Sequence, residues 1–171
     1  MPFKRLRVRL KNEIVTLRAP DLDLAATPAP YLPAAELARW YDEGRDFVMR
    51  GVSGGVVMLN LLRFRAIADY SMHPELAPAS PVTGEAAYRR YMEHTLPFLK
   101  ASGGEVLFYG QSGAFLVGPS NERWDAVMLV RQSSVASFLA FASNQAYLAG
   151  IGHRVAALED SRLLPMVQAQ A

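Results

Sequence analysis

Residues 56–64 read VVMLNLLRF. Seven of the nine fall into two alternating sets that are both apolar: Val57, Leu59 and Leu61 on one side, Val56, Met58, Leu62 and Phe64 on the other. A strand buried on both faces fits that pattern. Asn60 is its one polar interior residue and has to find hydrogen bonds there. Either it bonds a neighbouring backbone group or it points into a pocket. Arg63, near the strand end, marks a pocket mouth. The strand is preceded by GVSGG (51–55), which opens a strand rather than a helix and so lacks the context of a phosphate cradle.

Downstream, residues 66–84 contain Pro74, Pro78 and Pro81 and read as a long loop. Its Tyr70, Met72 and His73 are too apolar for a tether and fit a lid. GEAAYRRYMEHTLPFLKASGG (84–104) follows as a helix stopped by Gly103 and Gly104. Tyr88, Tyr91, Met92, Thr95, Leu96 and Leu99 share one of its faces, and Pro97 should kink it. EVLFYGQ (105–111) and GAFLVG (113–118) read as strand segments, and WDAVMLVRQ (124–132) as a second buried strand. Ser133 or Ser134 can cap a helix through SFLAFAS, and Ser143 a second through NQAYLAGIGHRVAAL (144–158). SRLLPMV (161–167) completes the set as a last strand. From residue 56 the order is β-α-β-β-α-β, an α+β ferredoxin-like arrangement.

The chain upstream differs in composition. Residues 1–18 hold Lys4, Arg5, Arg7, Arg9, Lys11 and Arg18 against Glu13, a charge of +5 in a chain whose total is +2. Leu6, Val8 and Leu10 alternate with these cations, which reads as a half-buried strand, although a disordered or nucleic-acid-binding arm remains an alternative. No set of stacking aromatics accompanies the charges, so no nucleic-acid partner is expected. APDLDLAATPAPYLP (19–33) is a connector, and a short helix runs from Pro33 to Gly44. The division expected is an N-terminal extension, 1–53, packing on a core domain, 54–171.

At 171 residues, 51% hydrophobic and 20% charged, the chain suits one domain with elaborations. No apolar run is long enough to span a bilayer, and no membrane partner is expected. The absence of cysteine excludes disulfides, cysteine-ligated zinc and a thiol nucleophile, and a cytoplasmic location is expected by default. Neither G-x-G-x-x-G nor GxxxxGK[ST] occurs, and GVSGG (51–55), which spells G-x-S-x-G, precedes a strand instead of leading from a strand into a helix, so no nucleotide cofactor and no serine elbow is signalled.

Chemistry-bearing residues concentrate in GIGHRVAALEDSRLL (150–164). On a helix from Tyr147 to Leu158, Arg154 shares an apolar stripe with Tyr147, Ile151 and Leu158. A guanidinium there needs an anion. That anion is either Asp160 or Glu159 just past the helix, or a ligand carboxylate or enolate. His153 lies off the stripe as an acid/base or ligand contact, with Arg162 close in sequence. Gly150 and Gly152 weaken the helix and point to close packing or a bend. His94 falls at the edge of its helix face, and His73 could touch a lid. The three histidines have no metal-ligand spacing, so no metal is expected; a single axial histidine for haem would be His153. The candidate site is therefore His153 and Arg154 as catalytic residues, with Asn60, Arg63, Tyr88, Tyr91 and Arg162 as ligand contacts; Tyr109 is more often core or interface.

The segments NLLRF (60–64), YRRY (88–91), LPFLKASGG (96–104), WDAVMLV (124–130), SNQAY (143–147) and GHRVAALEDSRL (152–163), in this order and spacing, resemble the bacterial domain-of-unknown-function family 1330. That family lies in the dimeric α/β-barrel superfamily. The resemblance covers about residues 54–166. It implies a homodimer whose two four-stranded sheets face each other in a barrel. In the wider superfamily the pocket between sheet and helices serves cofactor-free oxygenases, isomerases and haem proteins. Met58, Leu62 and Phe64, with alternate residues of WDAVMLV, would then be the apolar face that a second copy covers. The expected function is binding of a small, mostly apolar, anionic or enolisable molecule, with cofactor-free oxygenation, isomerisation or proton transfer as the chemistry. The alternative is a non-catalytic dimeric binding module, and haem binding is the third.

Overall fold

The computed structural model describes residues 6–10, 13–17, 46–48 and 50–168. The chain divides into two compact units, Met1–Val52 and Ser53–Ala171. In the first, β1 (Leu6–Leu10) and β2 (Glu13–Leu17) pair antiparallel, with Leu6 opposite Leu17 and Leu10 opposite Glu13. The alternating segment is thus a strand of a hairpin whose second strand, EIVTL, the sequence reading did not single out. The connector 19–33 and the helix from Pro33 lie outside the described residues.

The second unit carries β3 (Val56–Phe64), α1 (Gly84–Ala101), β4 (Glu105–Gln111), β5 (Ala126–Gln132), α2 (Val135–Ala142), α3 (Gln145–Leu148), α4 (Ile151–Ala157) and β6 (Leu158–Met166). The four strands form one antiparallel sheet in the order β4-β5-β3-β6. This is the ferredoxin-like topology, with the doubly apolar strand β3 in the interior where both of its edges are paired.

Alternation along β3 decides the two faces, and it does so in the opposite sense to the expectation. Val56, Met58, Asn60 and Leu62 are buried, and the buried cluster joins Leu62, Ala126 and Met128 of the sheet to Ala87, Tyr88 and Tyr91 of α1. Met58, Leu62 and Phe64 therefore belong to the helix-covered face. Val57, Leu59 and Leu61 belong to the open one, with Leu129 opposite Leu59 on one side and Leu164 on the other. Both sets are apolar, so the pattern alone could not say which one the helices take. Asn60 lies on the covered face, where its side-chain N–H donates to Met58 O at 3.2 Å.

Helix α1 starts where Thr83 Oγ1 accepts from Ala86 N at 3.2 Å, and it ends where Gly103, at φ +78°, turns the chain so that Gly104 N donates to Leu99 O at 2.9 Å. Helical structure runs through Pro97. The loop before α1 is tied down along its length. Arg65 N donates to Ala157 O, Ala68 N to Val82 O, and Asp69 N to Ala156 O, each at 2.9 Å. It contains a 3₁₀ turn, Pro74–Leu76, and buries Tyr70 and His73.

The helix expected over 144–158 is broken. Ser143 is not its cap: Ser143 Oγ donates back to Leu139 O, and Asn144 caps α3 by accepting from Tyr147 N at 3.1 Å. The chain restarts as α4 after Gly150, and Leu158 already opens β6, earlier than Ser161. Both glycines are sites of close approach. A Cβ on Gly152 would lie 2.5 Å from His73 Cγ, and one on Gly150 would run into the His94 ring. GAFLVG is likewise not a strand. Its pairing is limited to an isolated bridge between Ala114 and Arg123 and a hydrogen bond from Trp124 N to Gly113 O.

Candidate functional site

Arg154 sits in the last turn of α4 and is half-buried. Its Nη2 donates to Ser161 Oγ at 3.1 Å, and among the described residues no carboxylate lies within ion-pairing distance. The two expected acidic partners are engaged elsewhere. Asp160 pairs with Arg162 and, at 3.5 Å, with Arg63; Glu159 approaches Arg63 Nε at 3.4 Å. The reason is strand geometry. Asp160 and Arg162 point to the open side of β6, while Ser161 between them points back under α4, opposite Leu62.

Two buried tyrosines, Tyr88 and Tyr147, feel the charge of Arg154. A row of rings runs Phe64–Tyr88–Tyr91–Tyr147–Phe141, with successive centroids 5.5, 5.3, 6.3 and 4.3 Å apart. The Tyr91 and Tyr147 hydroxyls hydrogen-bond each other at 3.0 Å. Burial pushes the Tyr88 and Tyr147 hydroxyls well above the usual tyrosine range, with the neighbouring Tyr91 adding to it, while the charge of Arg154 opposes both. These phenols are neutral at any physiological pH. A half-buried cation that donates to a serine hydroxyl and acts electrostatically on the neutral Tyr88 and Tyr147 hydroxyls is suited to receive an anion.

His153 does not join Arg154. Adjacent residues on a helix diverge by about 100°, and His153 turns toward the preceding loop. There Tyr70 and His153 share a hydrogen bond between the phenol oxygen and Nδ1, 2.9 Å long, with the rings edge to face at 5.7 Å. Burial lowers the His153 pKa below its ordinary 6.5, and electrostatic interaction with Arg90 and His94 lowers it further. His153 is thus neutral at pH 7. A histidine whose folded pKa is depressed binds fewer protons than the unfolded chain below pH 6.5, so stability falls as pH drops through that value. We expect the wild-type melting temperature to fall from pH 7 to pH 5.5 more steeply than that of His153→Gln. Parallel melting curves by circular dichroism check this.

His94 has a structural role: its Nε2–H donates to Ala146 O at 2.9 Å and Tyr147 O at 3.1 Å, closing the C-terminal end of α3. His73 Nδ1 lies 3.2 Å from the Glu75 carboxylate. Among the described residues no group of three or more His, Asp or Glu side chains is placed to hold a metal ion, and no helix is long and apolar enough to cross a membrane.

Arg63 and Arg162 form a separate centre at the open-face rim. Both guanidinium groups lie over the buried Trp124 ring, at 5.9 and 5.1 Å from its centroid. A cleft of about 290 Å³ opens beside them, lined by Arg63, Ala114, Ser120, Asn121, Arg123 and Glu159. A second, of about 220 Å³, runs between α1 and β4 beside Met92, Leu96 and Tyr109. Neither is lined by Arg154 or His153. The sequence-derived set thus separates into three places: Arg154 with Tyr88, Tyr91 and Asn60 on the covered side of the sheet, His153 against the loop, and Arg63 with Arg162 at the rim. Ser161 and Trp124 are not singled out by the sequence, which offers Tyr70 only as a loop residue of a lid. Only the β3–β6 register and the course of the 65–83 loop bring them in.

The strand order and helix placement define a ferredoxin-like α+β protein with an arginine set between sheet and helices. No protein-family model matches the sequence. Two crystal structures of the RPA0582 protein, one of them described as a protein of unknown function from Rhodopseudomonas palustris, are each 31% identical to this chain. They cover 84% and 82% of it, 98% of their own chains in both cases, at TM-scores of 0.66 and 0.65. The chain belongs to the family of that protein. Over a much shorter stretch it is similar to curated tRNA uridine(34) hydroxylases: 53% identical over 45 residues in Ralstonia nicotianae and 49% over 45 in Thiobacillus denitrificans. Those matches take in 26% of this chain and only 16% and 18% of the relatives' lengths.

Proposed function

We propose that the protein is a cytoplasmic homodimer that binds a small, largely apolar organic anion between its sheet and helices, with Arg154 as the anion contact. The observation that carries this reading is the Arg154 guanidinium itself: half-buried, bonded among the described residues to the neutral Ser161 hydroxyl and to no carboxylate, and acting electrostatically on the neutral hydroxyls of Tyr88 and Tyr147. Desolvating a guanidinium without a counter-charge is unfavourable, and an incoming carboxylate or enolate removes that penalty. The homodimer reading is supported by the open sheet face, where Val57, Leu59, Leu61, Val127 and Leu129 leave a second apolar surface, as in the dimeric α/β barrels that the sequence motifs resemble.

A catalytic form of the same reading assigns proton transfer to His153. The Tyr70–His153 hydrogen bond and the depressed imidazole pKa favour it, since a neutral imidazole is a competent base at pH 7. The divergence of His153 from Arg154 favours binding over catalysis by the pair. The reaction named for the tRNA hydroxylases is not part of the proposal, because the shared stretch is under a fifth of those proteins.

The test is calorimetric titration with a panel of aryl and alkyl carboxylates, benzoate and phenylacetate first. Saturable binding by the wild type that is lost in Arg154→Met supports the reading. A panel without a binder, or one bound equally by both forms, overturns it.

A further inference from the structure

The β4–β5 hairpin continues past the end of the sheet. Beyond the last ladder pair, Gln111 with Ala126, Ser112 N donates to Asp125 O at 2.9 Å and Trp124 N to Gly113 O at 3.2 Å, and Ala114 pairs with Arg123. Asp125 Oδ2 accepts from Phe64 N at 2.7 Å, which fastens the base of this extension to the end of β3. At its tip, Phe115, Leu116 and Val117 are 44%, 101% and 90% exposed. The turn is tight: a Cβ on Gly118 would lie 2.9 Å from the Phe115 ring, so the chain folds back over Phe115 and leaves Leu116 and Val117 projecting. Fully exposed aliphatic side chains on a braced turn mark a contact surface.

What covers the tip follows from charge and area. The groups around its base are Arg63, Arg123 and Arg162 together with Glu122, Asp125, Glu159 and Asp160, already paired with one another or with Trp124. Three cations against four carboxylates offer no attraction to an anionic lipid surface or to nucleic acid. They suit a protein partner. The open sheet face supplies one. Four strands about 4.8 Å apart and roughly eight residues long make a footprint of roughly 500 Å². Its ends are taken by Arg63, Asp160 and Arg162 on one side and the Glu105–Arg131 pair, 2.9 Å, on the other. A specific dimer removes about 800 Å² of accessible surface from each partner, and the tip, with Leu116 and Val117 projecting, adds apolar surface to that of the face.

We propose that the Phe115–Val117 tip is a clamp that seats on the open sheet face of a second copy, against Leu59, Leu61 and Leu129 of that copy, so that a twofold dimer is held by two reciprocal arms. This inference rests on the homodimer reading above.

The chain has no cysteine, so Leu116→Cys labelled with benzophenone maleimide places one photo-crosslinker at the tip. Irradiation is expected to give a crosslinked dimer whose joined peptides span 56–64 or 126–132. Analytical ultracentrifugation should show Leu116→Asp/Val117→Asp dissociating at least 30-fold more readily than wild type with an unchanged circular dichroism spectrum. Leu59→Asp should do the same from the other side. A wild type that is monomeric at all concentrations overturns the homodimer reading and the clamp with it. A wild-type dimer that the tip substitutions leave intact, with crosslinks confined to one chain, overturns the clamp alone. So does tip-dependent sedimentation with phosphatidylglycerol vesicles without any loss of dimer.

Discussion

Arg154→Met should weaken binding of a small carboxylate by about 100-fold while leaving the melting temperature unchanged or slightly higher. The two effects have opposite signs because they draw on different partners. In the free protein the guanidinium has given up part of its hydration for one neutral hydrogen bond to Ser161 Oγ. Replacing such a group by an unbranched apolar side chain of similar length is neutral or stabilising. In the complex the same guanidinium would face an anion, and a hydrogen bond between charged groups contributes about 1.5–3 kcal/mol, the upper end of which is roughly 100-fold. Calorimetry and thermal melts on one preparation read both. A variant that is destabilised by several kcal/mol instead would mean that Arg154 is a structural residue whose partners inside the fold matter more than any ligand. Tyr88→Phe, which removes a deeply buried hydroxyl next to the same arginine, is expected to melt within a degree or two of wild type.

Gly84→Ala is expected to lower stability by about 3 kcal/mol, a fall of roughly 10 °C in melting temperature for a unit of this size. Gly84 is the first residue of α1, and helix propensity by itself favours alanine there by about 1 kcal/mol. Packing decides otherwise. A Cβ at this position would lie 2.5 Å from Arg65 O and 2.7 Å from Arg65 N, and would also strike Ala157 O. All three are backbone atoms, and they cannot rotate away as a side chain would. They are also committed: Gly84 N donates to Arg65 O at 3.0 Å, and Arg65 N donates to Ala157 O at 2.9 Å. The exit of β3, the start of α1 and the end of α4 therefore meet at one glycine. Differential scanning calorimetry of Gly84→Ala beside Gly113→Ala, where a Cβ meets nothing within 4 Å, separates this clash from a general glycine effect. Equal melting temperatures for the two would remove the argument.

The candidate site was legible in parts. That Arg154 occupies an interior position could be read from its spacing to Tyr147 and Leu158, even though the helix assumed for that reading is broken at Gly150. Close approach at Gly150 and Gly152 was also visible, because glycine inside a helical pattern has few other uses. The identity of what approaches them, the rings of His94 and His73, was not. Those histidines are more than fifty residues away in sequence and arrive through the packing of α1 and of the 65–83 loop. Asp160 shows the same limit most sharply. It lies six residues from Arg154 and has the opposite charge, so sequence proximity makes it the natural partner. Once Leu158 begins a strand rather than ending a helix, alternation sends Asp160 to the far side of the sheet and presents Ser161 to Arg154 instead.

The sequence by itself determined that residues 56 onward make a β-α-β-β-α-β unit, because strand and helix periods are local properties of hydrophobic spacing. It also determined that both faces of β3 are apolar, whereas its place between β5 and β6 came only with the strand pairing. Tertiary structure alone decided which face the helices cover, since Val57, Leu59 and Leu61 are as apolar as Val56, Met58 and Leu62 and nothing local breaks the tie. It alone decided the partners of every charged candidate. A cation's counter-group is set by strand register and by the direction of neighbouring Cβ bonds, quantities that exist only once distant segments have been brought together.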